Sequence, residues 1–167
     1  MKKQTVAVID FGSQYTQLIA RRIREQNVYS EILPHSITAK ELQKMDVPAL
    51  ILSGGPSSVY DINAPQVDNA ILDLNIPILG ICYGLHLIIS EAGGKIIHKG
   101  HGEYGFAKVH PNLESPLFDN LSKESQVWMS HGDEIEKIGD GFDIIARSSN
   151  DIIAAIQHHE RPLYGVQ

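Results

Sequence analysis

The 167-residue sequence contains one cysteine, Cys82, and one tryptophan, and it lacks long apolar runs. A single cysteine excludes an internal disulfide and predicts a reducing, cytoplasmic compartment. The apolar segments fall well short of the roughly 20 residues that a membrane-spanning helix needs, so we expect no membrane partner. The N-terminal apolar run is interrupted at Asp10, which predicts a first strand rather than a signal peptide.

Basic residues are also scarce. The 14 Lys and Arg residues compare with 20 Asp and Glu, and the formal net charge is −6. The densest basic cluster, Arg21, Arg22 and Arg24, lies in a helical pattern and predicts a solvated face, so we expect no nucleic-acid partner. With 43% hydrophobic and 20% charged residues, the composition is typical of a soluble globular protein, and the length suits one domain with a substantial core.

The order of strand and helix patterns predicts the fold class. Strands are expected at residues 5–11, 29–34, 48–53 and 76–81. Helices are expected at 13–26 with Ser13 as N-cap, at 38–45 with Thr38 as N-cap, at 66–74, and from residue 83 to a glycine pair at 93–94. This alternation predicts an α/β fold with a doubly wound, mostly parallel sheet and helices on both faces. From Lys95 onward, short strands separated by turns predict β-rich additions in the C-terminal half, packed against the same sheet.

The stretch "GICYGLH" places Cys82 between Gly80 and Gly84, after an apolar strand and before a helix. Strand, Gly-x-Cys-x-Gly and helix together match the nucleophile-elbow pattern, with cysteine in place of serine. Such a sharp turn strains the backbone of the nucleophile and needs glycine on either side, and the helix N-terminus is expected to lower the thiol pKa. The alternative is an inert buried cysteine; the flanking pattern favours catalysis.

A second glycine loop, "LSGGPSS" at 52–58, follows another predicted parallel strand. It is therefore expected at the same carboxyl edge of the sheet as Cys82, where open α/β sheets bind ligands. A backbone N–H from this loop can approach a developing oxyanion because glycine leaves room. Taken alone, however, Gly-Gly-Pro favours a simple turn.

Several stretches together resemble the class I (triad) glutamine amidotransferase family, which has a flavodoxin-like α/β fold. These stretches are "VIDFGSQYTQLIARRIRE", "LILSGGPSSVYD", "GICYG", "EYGFAKV" and "VWMSHGDEI". Among them, "DFGSQYTQLIARRIRE" and "VWMSHGD" resemble the N-terminal glutaminase of the GMP synthetase branch, whereas "GGP" and Gly-x-Cys-x-Gly mark only the wider superfamily. The resemblance implies that Cys82 attacks the side-chain amide of glutamine, releasing ammonia and then glutamate. It implies an oxyanion hole from the backbone N–H groups of Gly55 and Tyr83, and a glutamine pocket lined by Ser130, Gly132 and Asp133.

The resemblance also implies a partner. Ammonia would pass to an ATP-pyrophosphatase (synthetase) domain, in the same chain or on a second polypeptide, for amination of XMP to GMP. ATP and Mg would belong to that domain, so no cofactor and no metal are expected in this one. Open alternatives are a glutaminase serving anthranilate, aminodeoxychorismate or carbamoyl phosphate synthesis, and a non-catalytic glutamine-binding or regulatory module.

Two departures from the family pattern affect the predicted site. Where the family usually has glutamine four residues after the nucleophile, this sequence has His86, which either contacts the substrate or packs on the elbow helix. The family's base and orienting carboxylate lie in a His-Pro-Glu motif after a strand like "YGVQ", and residues 1–167 contain no such motif. We therefore expect a glutaminase domain spanning 1–167, cut just before that motif and without its synthetase domain.

Other histidine clusters are weaker candidates. "HHE" at 158–160 could replace the base, but a hairpin turn is the favoured interpretation. "HKGHGE" at 98–103 has two histidines three residues apart, and a loop is favoured over a metal site. By spacing alone, His131 and Asp133 could be a catalytic pair, whereas the resemblance places them in the pocket wall.

Overall fold

The computed structural model describes residues 5–167, except for the side chains of residues 99–101. The strands in these residues are β1 (Thr5–Asp10), β2 (Tyr29–Pro34), β3 (Leu50–Leu52), β4 (Ile78–Ile81), β5 (Lys95–Pro111), β6 (Ser125–Lys137), β7 (Phe142–Ser148), β8 (Ile153–His158) and β9 (Leu163–Val166). The α-helices are α1 (Thr16–Glu25), α2 (Ala39–Met45) and α3 (Tyr83–Glu91), and short 3-10 turns cover Asn69–Ile71 and Pro116–Phe118.

All nine of these strands form one sheet in the order β2-β1-β3-β4-β9-β8-β7-β5-β6. Strands β2, β1, β3, β4 and β9 are parallel, and with α1 to α3 they form what we call the parallel half. Strands β5 to β8 pair antiparallel and form the antiparallel half, which joins the parallel half where β8 pairs with β9. The predicted fold class is confirmed.

Helices pack on both faces of the parallel half. Ser30 and Leu33 lie three residues apart on β2, so their side chains point to opposite faces. Ser30 Oγ donates to the Ala20 carbonyl of α1, whereas Leu33 belongs to a buried apolar cluster with Leu42 of α2 and Leu85 of α3. This places α1 on one face and α2 and α3 on the other. Within the described residues, every helix is too short or too polar to cross a bilayer.

Three local predictions are wrong. The helix expected at 66–74 is reduced to the 3-10 turn Asn69–Ile71, because the Asp68 carboxylate accepts from the N–H groups of Ala70 and Ala39 and so starts the turn late. Ser13 does not cap α1; Tyr15 is the N-cap, and Ser13 Oγ instead accepts from the Tyr15 N–H at 3.0 Å. The capping box predicted at Thr38 is present.

The third error concerns "HKGHGE", which is not a loop between strands. It lies inside the 17-residue strand β5, where the pairing with β6 is shifted between His98 and Glu103. The shift is a bulge or irregularity of the ladder, and pairing continues on either side of it. The predicted alternative of a metal site there involves His101, whose side chain lies outside the described residues.

Candidate active site

Cys82 lies on the turn between β4 and α3 with φ 51° and ψ −104°, a conformation that non-glycine residues rarely adopt. The surrounding backbone holds it there. Its N–H donates to the Val166 carbonyl of β9 at 2.8 Å, and its carbonyl accepts from the His86 N–H at 3.0 Å. The nucleophile-elbow geometry predicted from Gly-x-Cys-x-Gly is therefore present.

Both flanking glycines are required by close backbone approach. A Cβ on Gly80 would lie 2.6 Å from the Gly84 carbonyl carbon and oxygen, and a Cβ on Gly84 would lie 2.3 Å from the Leu52 carbonyl oxygen. Both separations are far shorter than a carbon atom tolerates, so alanine at either position would push α3 away from β3 and β4.

The "SGGP" loop is fixed beside the elbow by Ser53, which the sequence analysis did not single out. Ser53 is fully buried; its Oγ accepts from the Phe11 N–H at 3.1 Å and donates to the Gly54 carbonyl at 2.9 Å. The Ser53 carbonyl accepts from the Gly84 N–H at 3.1 Å, which joins the loop to the first turn of α3. A small polar residue ending a buried strand is the signal that could have identified it.

Gly55 is fixed by its neighbours as well. A Cβ at this position would lie 2.6 Å from the Phe11 carbonyl oxygen, so only glycine fits. In the described part of the chain its N–H donates to no backbone carbonyl.

One cavity of about 670 Å³ opens beside the Cys82 thiol. Every residue that the sequence predicted for the site lines it: Gly55, Cys82, Tyr83, His86, Ser130, Gly132 and Asp133. The first four come from loops and α3 of the parallel half, and the last three come from β6 of the antiparallel half. The structure thus brings the predicted set together across the sheet, while the role of each residue stays a prediction.

The pKa of the Cys82 thiol is raised, contrary to the expectation that the helix N-terminus would lower it. Burial is the largest cause, and the charge of Asp133 adds to it. Hydrogen bonds from the Tyr83 N–H and from the Gln167 side chain act in the opposite direction but do not prevail. The N–H of Tyr83, the first residue of α3, does favour the thiolate, but desolvation outweighs that effect.

His86 is almost completely buried and lines the cavity floor on α3. Its Nε2 lies 2.9 Å from the Gln167 side-chain oxygen, which means that Nε2–H donates to that oxygen. Burial is the largest influence on this imidazole and lowers its pKa, so His86 is neutral near pH 7. Both alternatives from the sequence are therefore compatible with its position, since it packs on the elbow helix and also borders the cavity.

The β6 segment "SHGD" has partners on β5 that sequence reasoning missed. His98 Nδ1–H donates to the Asp133 carboxylate at 2.9 Å, and the Tyr104 hydroxyl lies close enough to Gly132 that a Cβ there would be 3.3 Å away. Both side chains line the cavity. Only the β5–β6 register brings them here, and no sequence pattern signals it.

The "HHE" segment lies near the amino ends of the parallel strands, whereas Cys82 follows the carboxyl end of β4. Leu163, which begins β9, pairs with Ile78 at the start of β4, whereas Val166 pairs with Ile81 next to Cys82. The residues before β9 therefore lie a strand length away from the thiol, and His158 packs edge-on against Phe142. The favoured interpretation as a hairpin turn is confirmed, and "HHE" cannot act on Cys82.

Metal ligation has no candidate among the described side chains, which include no group of three or more His, Cys, Asp or Glu arranged around one point. His131 and Asp133 do not form a catalytic pair either. His131 Nδ1 contacts the Asp133 backbone carbonyl at 3.0 Å rather than its carboxylate. The expectation that this part of the protein needs no cofactor stays a prediction.

Comparison with known proteins gives a family match and full-length coverage of this chain. The sequence model of the family Glutamine amidotransferase class-I matches residues 7–167. The chain is 48% identical over 167 residues to the glutamine-hydrolyzing GMP synthase of Gloeothece citriformis and 51% identical over 169 residues to that of Bacillus cytotoxicus. All of the chain is covered in both matches, and it spans 31% and 33% of the length of these relatives.

Solved structures agree on the fold. A Thermoplasma acidophilum protein described as one component of a GMP synthase has a TM-score of 0.84 and 30% identity, with 100% of this chain and 84% of that one covered. A glutamine amidotransferase of Thermotoga maritima has a TM-score of 0.76 at 19% identity, covering 100% of this chain and 75% of that one. The second likeness concerns the fold alone.

Proposed function

This chain belongs to the glutamine amidotransferase class-I family, and from that premise we propose that it hydrolyses glutamine to glutamate and ammonia through a thioester on Cys82. The observation that carries the proposal is the cavity beside Cys82. It joins a strained, half-buried thiol to the N–H of Gly55 on one side and to the Asp133 carboxylate on the other. That arrangement suits an acyl transfer in which one end of the substrate carries a positive charge.

The chemical step uses the two backbone amides. The Cys82 sulfur bonds to the side-chain carbonyl carbon of glutamine, and the carbonyl oxygen becomes an oxyanion that the N–H groups of Gly55 and Tyr83 stabilise. The proton lost by the Cys82 thiol is transferred to the amide nitrogen, which leaves as ammonia as the C–N bond breaks. Water then cleaves the C–S bond, which gives glutamate and restores the thiol.

Asp133 binds the α-ammonium group of glutamine in this proposal. Its side chain is only 14% exposed, so a cation there is attracted through a poorly screened interaction. Substrate binding also affects the nucleophile, because the Asp133 charge helps to raise the thiol pKa. An ammonium group beside Asp133 offsets that charge and so favours the thiolate when substrate is present.

The end of β9 is where the resemblance places the general base. The Val166 carbonyl accepts from the Cys82 N–H, and the Gln167 side chain contacts His86 and lines a second cavity together with Cys82. A residue immediately after this strand would therefore lie within reach of Cys82. This geometry supports the prediction that proton transfer is performed by a histidine following β9.

The released ammonia is proposed to serve an ATP-dependent amination of XMP to GMP in the cytoplasm. The named relatives are glutamine-hydrolyzing GMP synthases about three times as long as this chain, of which it matches one part. A synthetase region, in the same chain or on a second polypeptide, would hold ATP and Mg and receive the ammonia.

The proposal is tested by incubating the chain with glutamine and following ammonia release and the mass of Cys82-containing peptides after acid quench. We expect glutamine to protect Cys82 of this chain from alkylation, and we expect a γ-glutamyl adduct on Cys82 once the chain is extended by the residues that follow this region in the Gloeothece relative; the adduct is absent in Cys82→Ala. If Cys82 gains no adduct and glutamine does not slow its alkylation by iodoacetamide, the glutaminase proposal is wrong and a non-catalytic module is favoured. Ammonia transfer is tested separately, by adding the synthetase region of the Gloeothece relative with ATP, Mg and XMP and comparing glutamine with ammonium as nitrogen source.

A further inference from the structure

Two acid–imidazole pairs join β5 to the "SHGD" segment of β6. In the strand register, His98 lies opposite Asp133 and Glu103 lies opposite His131. The β5 bulge between His98 and Glu103 makes this possible, because it lets residues five apart on β5 face residues two apart on β6. The first pair is at the cavity mouth; the second is buried beneath it.

The buried pair contains polar atoms with no hydrogen-bond partner among the described residues. Glu103 and His131 are 7% and 5% exposed, and His131 Nε2 lies 3.4 Å from Glu103 Oε2. These two atoms face each other without meeting the geometry of a standard hydrogen bond. Burying a polar atom without a hydrogen-bond partner costs free energy of folding, so a buried pair of this kind is unusual in a folded protein.

The position of one proton on His131 is fixed by chemistry. Its Nδ1 lies 3.0 Å from the Asp133 carbonyl oxygen, which can only accept, so Nδ1 carries a hydrogen. A bare Nε2 would then direct its lone pair at a carboxylate oxygen in a site shielded from bulk solvent. The ring lies between the Asp133 carbonyl oxygen on one side and Glu103 Oε2, 3.4 Å away, on the other.

Glu103 is in turn held from the other side. Its Oε1 accepts from the Ser148 hydroxyl at 3.1 Å and from the Asn150 side-chain amide at 2.6 Å. Ser148 ends β7, and Asn150 lies in the turn that follows. A continuous chain of contacts therefore runs from that turn through Glu103 and His131 to the Asp133 backbone.

We propose that Glu103 is a positioning residue for glutamine recognition: through His131 it fixes the backbone at Asp133 and thereby aims the carboxylate that receives the α-ammonium group. Close packing reinforces this hold, since a Cβ on Gly102 would lie 2.1 Å from the His131 carbonyl oxygen. The inference rests on the proposed function and adds a residue that never touches the substrate. It predicts that losing Glu103 weakens recognition of the amino-acid head group without changing the reactivity of the thiol.

The test compares two reagents on the same thiol. A chloroketone that carries the α-amino acid head group of L-glutamine needs the pocket, whereas iodoacetamide needs only the thiolate; in each reaction the Cys82 sulfur displaces the halide and forms a thioether. For Glu103→Ala we expect the chloroketone rate constant to fall about tenfold, while the iodoacetamide rate constant stays within about twofold. Glu103→Gln should recover most of the loss, because its amide oxygen accepts from Ser148 and Asn150 while its NH₂ donates to His131.

Two further variants keep the test decisive. Asn150→Ala removes one anchor of Glu103 from an exposed turn, and it should give a smaller loss of the same selective kind even if Glu103→Ala does not fold. Glu136→Ala, on the same hairpin but paired with Lys95 at the surface, is the matched control and should leave both rates unchanged.

The outcomes separate the two claims. If wild-type protein reacts no faster with the L-chloroketone than with its D-enantiomer, the pocket does not recognise the head group and the proposed function fails. If the wild type does discriminate, but Glu103→Ala and Asn150→Ala discriminate equally well, or Glu103→Gln is no better than Glu103→Ala, only the positioning role of Glu103 is wrong.

Discussion

The parallel half of the sheet supplies the nucleophile and the backbone amides of the cavity, whereas the antiparallel half supplies the side chains predicted to recognise substrate. Gly55, Cys82 and Tyr83 owe their positions to close backbone packing between β3, β4 and α3. Asp133 owes its position to side-chain contacts, with His98 on its carboxylate and His131 on its carbonyl.

Because of this difference, the two halves should respond differently to amino-acid substitution. A site built from backbone packing fails abruptly when an atom is added, because neighbouring main chain cannot move aside. A site built from side-chain hydrogen bonds loses affinity in steps, one contact at a time. Substitutions in the two halves test that contrast, and the largest effect is expected in the parallel half.

Gly84→Ala should do the most damage, since its Cβ would lie 2.3 Å from the Leu52 carbonyl oxygen. We expect the free energy of unfolding to fall by about 2–3 kcal/mol, with loss of glutamine-dependent modification of Cys82. Gly93→Ala is the matched control: Gly93 has φ 74° and open space around it, so backbone strain of about 1 kcal/mol is the whole cost. Urea unfolding measures both, and equal losses would contradict the packing argument.

Asp133→Asn tests the recognition half. Removing the carboxylate should raise the glutamine concentration that half-protects Cys82 from iodoacetamide by about tenfold or more. The same change should lower the thiol pKa, because the Asp133 charge raises it, so alkylation without glutamine becomes faster at pH 8. Asp140→Asn, at an exposed turn between β6 and β7, is the control. Unchanged protection in Asp133→Asn would remove Asp133 from the binding site.

His86, at the contact between α3 and the end of β9, links stability to pH. Its pKa lies below the ordinary value of 6.5 in the folded protein, so the unfolded chain takes up the proton first as pH falls. Stability from neutral His86 is therefore complete above about pH 6.5 and declines below it, by up to about 1.4 kcal/mol per pH unit. Urea unfolding at pH 7.5, 6.5 and 5.5 should show a steeper decline for wild type than for His86→Gln. Parallel curves would rule out this contribution.

The smallest effect is expected from His86→Gln on substrate affinity. Restoring the residue that is usual in the family should lower the half-protective glutamine concentration by about threefold, since a primary amide reaches into the cavity with both a donor and an acceptor. His110→Gln, on the exposed side of β5, is the control. No change relative to wild type would favour a purely structural His86.

Local pattern predicted the parallel half well. The strand 29–34 and the cap at Thr38 match the structure, and both depend on residues adjacent in sequence. The helix at 66–74 was wrong because the Asp68 carboxylate contacts Ala39, a contact between distant residues that periodicity cannot show.

For the site, too, residues that lie in short motifs were predicted, whereas contacts that depend on the packed structure were not. Motifs identified every residue of the predicted set, and the structure gathers them around one cavity. The contacts of His98 and Glu103 with β6 were missed because they depend on a bulge in β5, and the predicted direction of the thiol pKa shift was wrong because that shift depends on burial. Both are properties of the packed molecule that short motifs do not encode.

The position of β9 has a consequence for the order of folding. It is the last described strand in the chain, yet it pairs with β4 on one side and β8 on the other in the interior of the sheet. During synthesis from the N-terminus, β4 therefore presents an unpaired, apolar edge until residues 163–166 emerge, and such edges promote association between chains. The same step supplies the Val166 carbonyl that holds the Cys82 amide, so the strained turn gains this hydrogen bond only when the sheet closes. A reactive thiol geometry is thus completed late in folding, after most of the surrounding chain is in place.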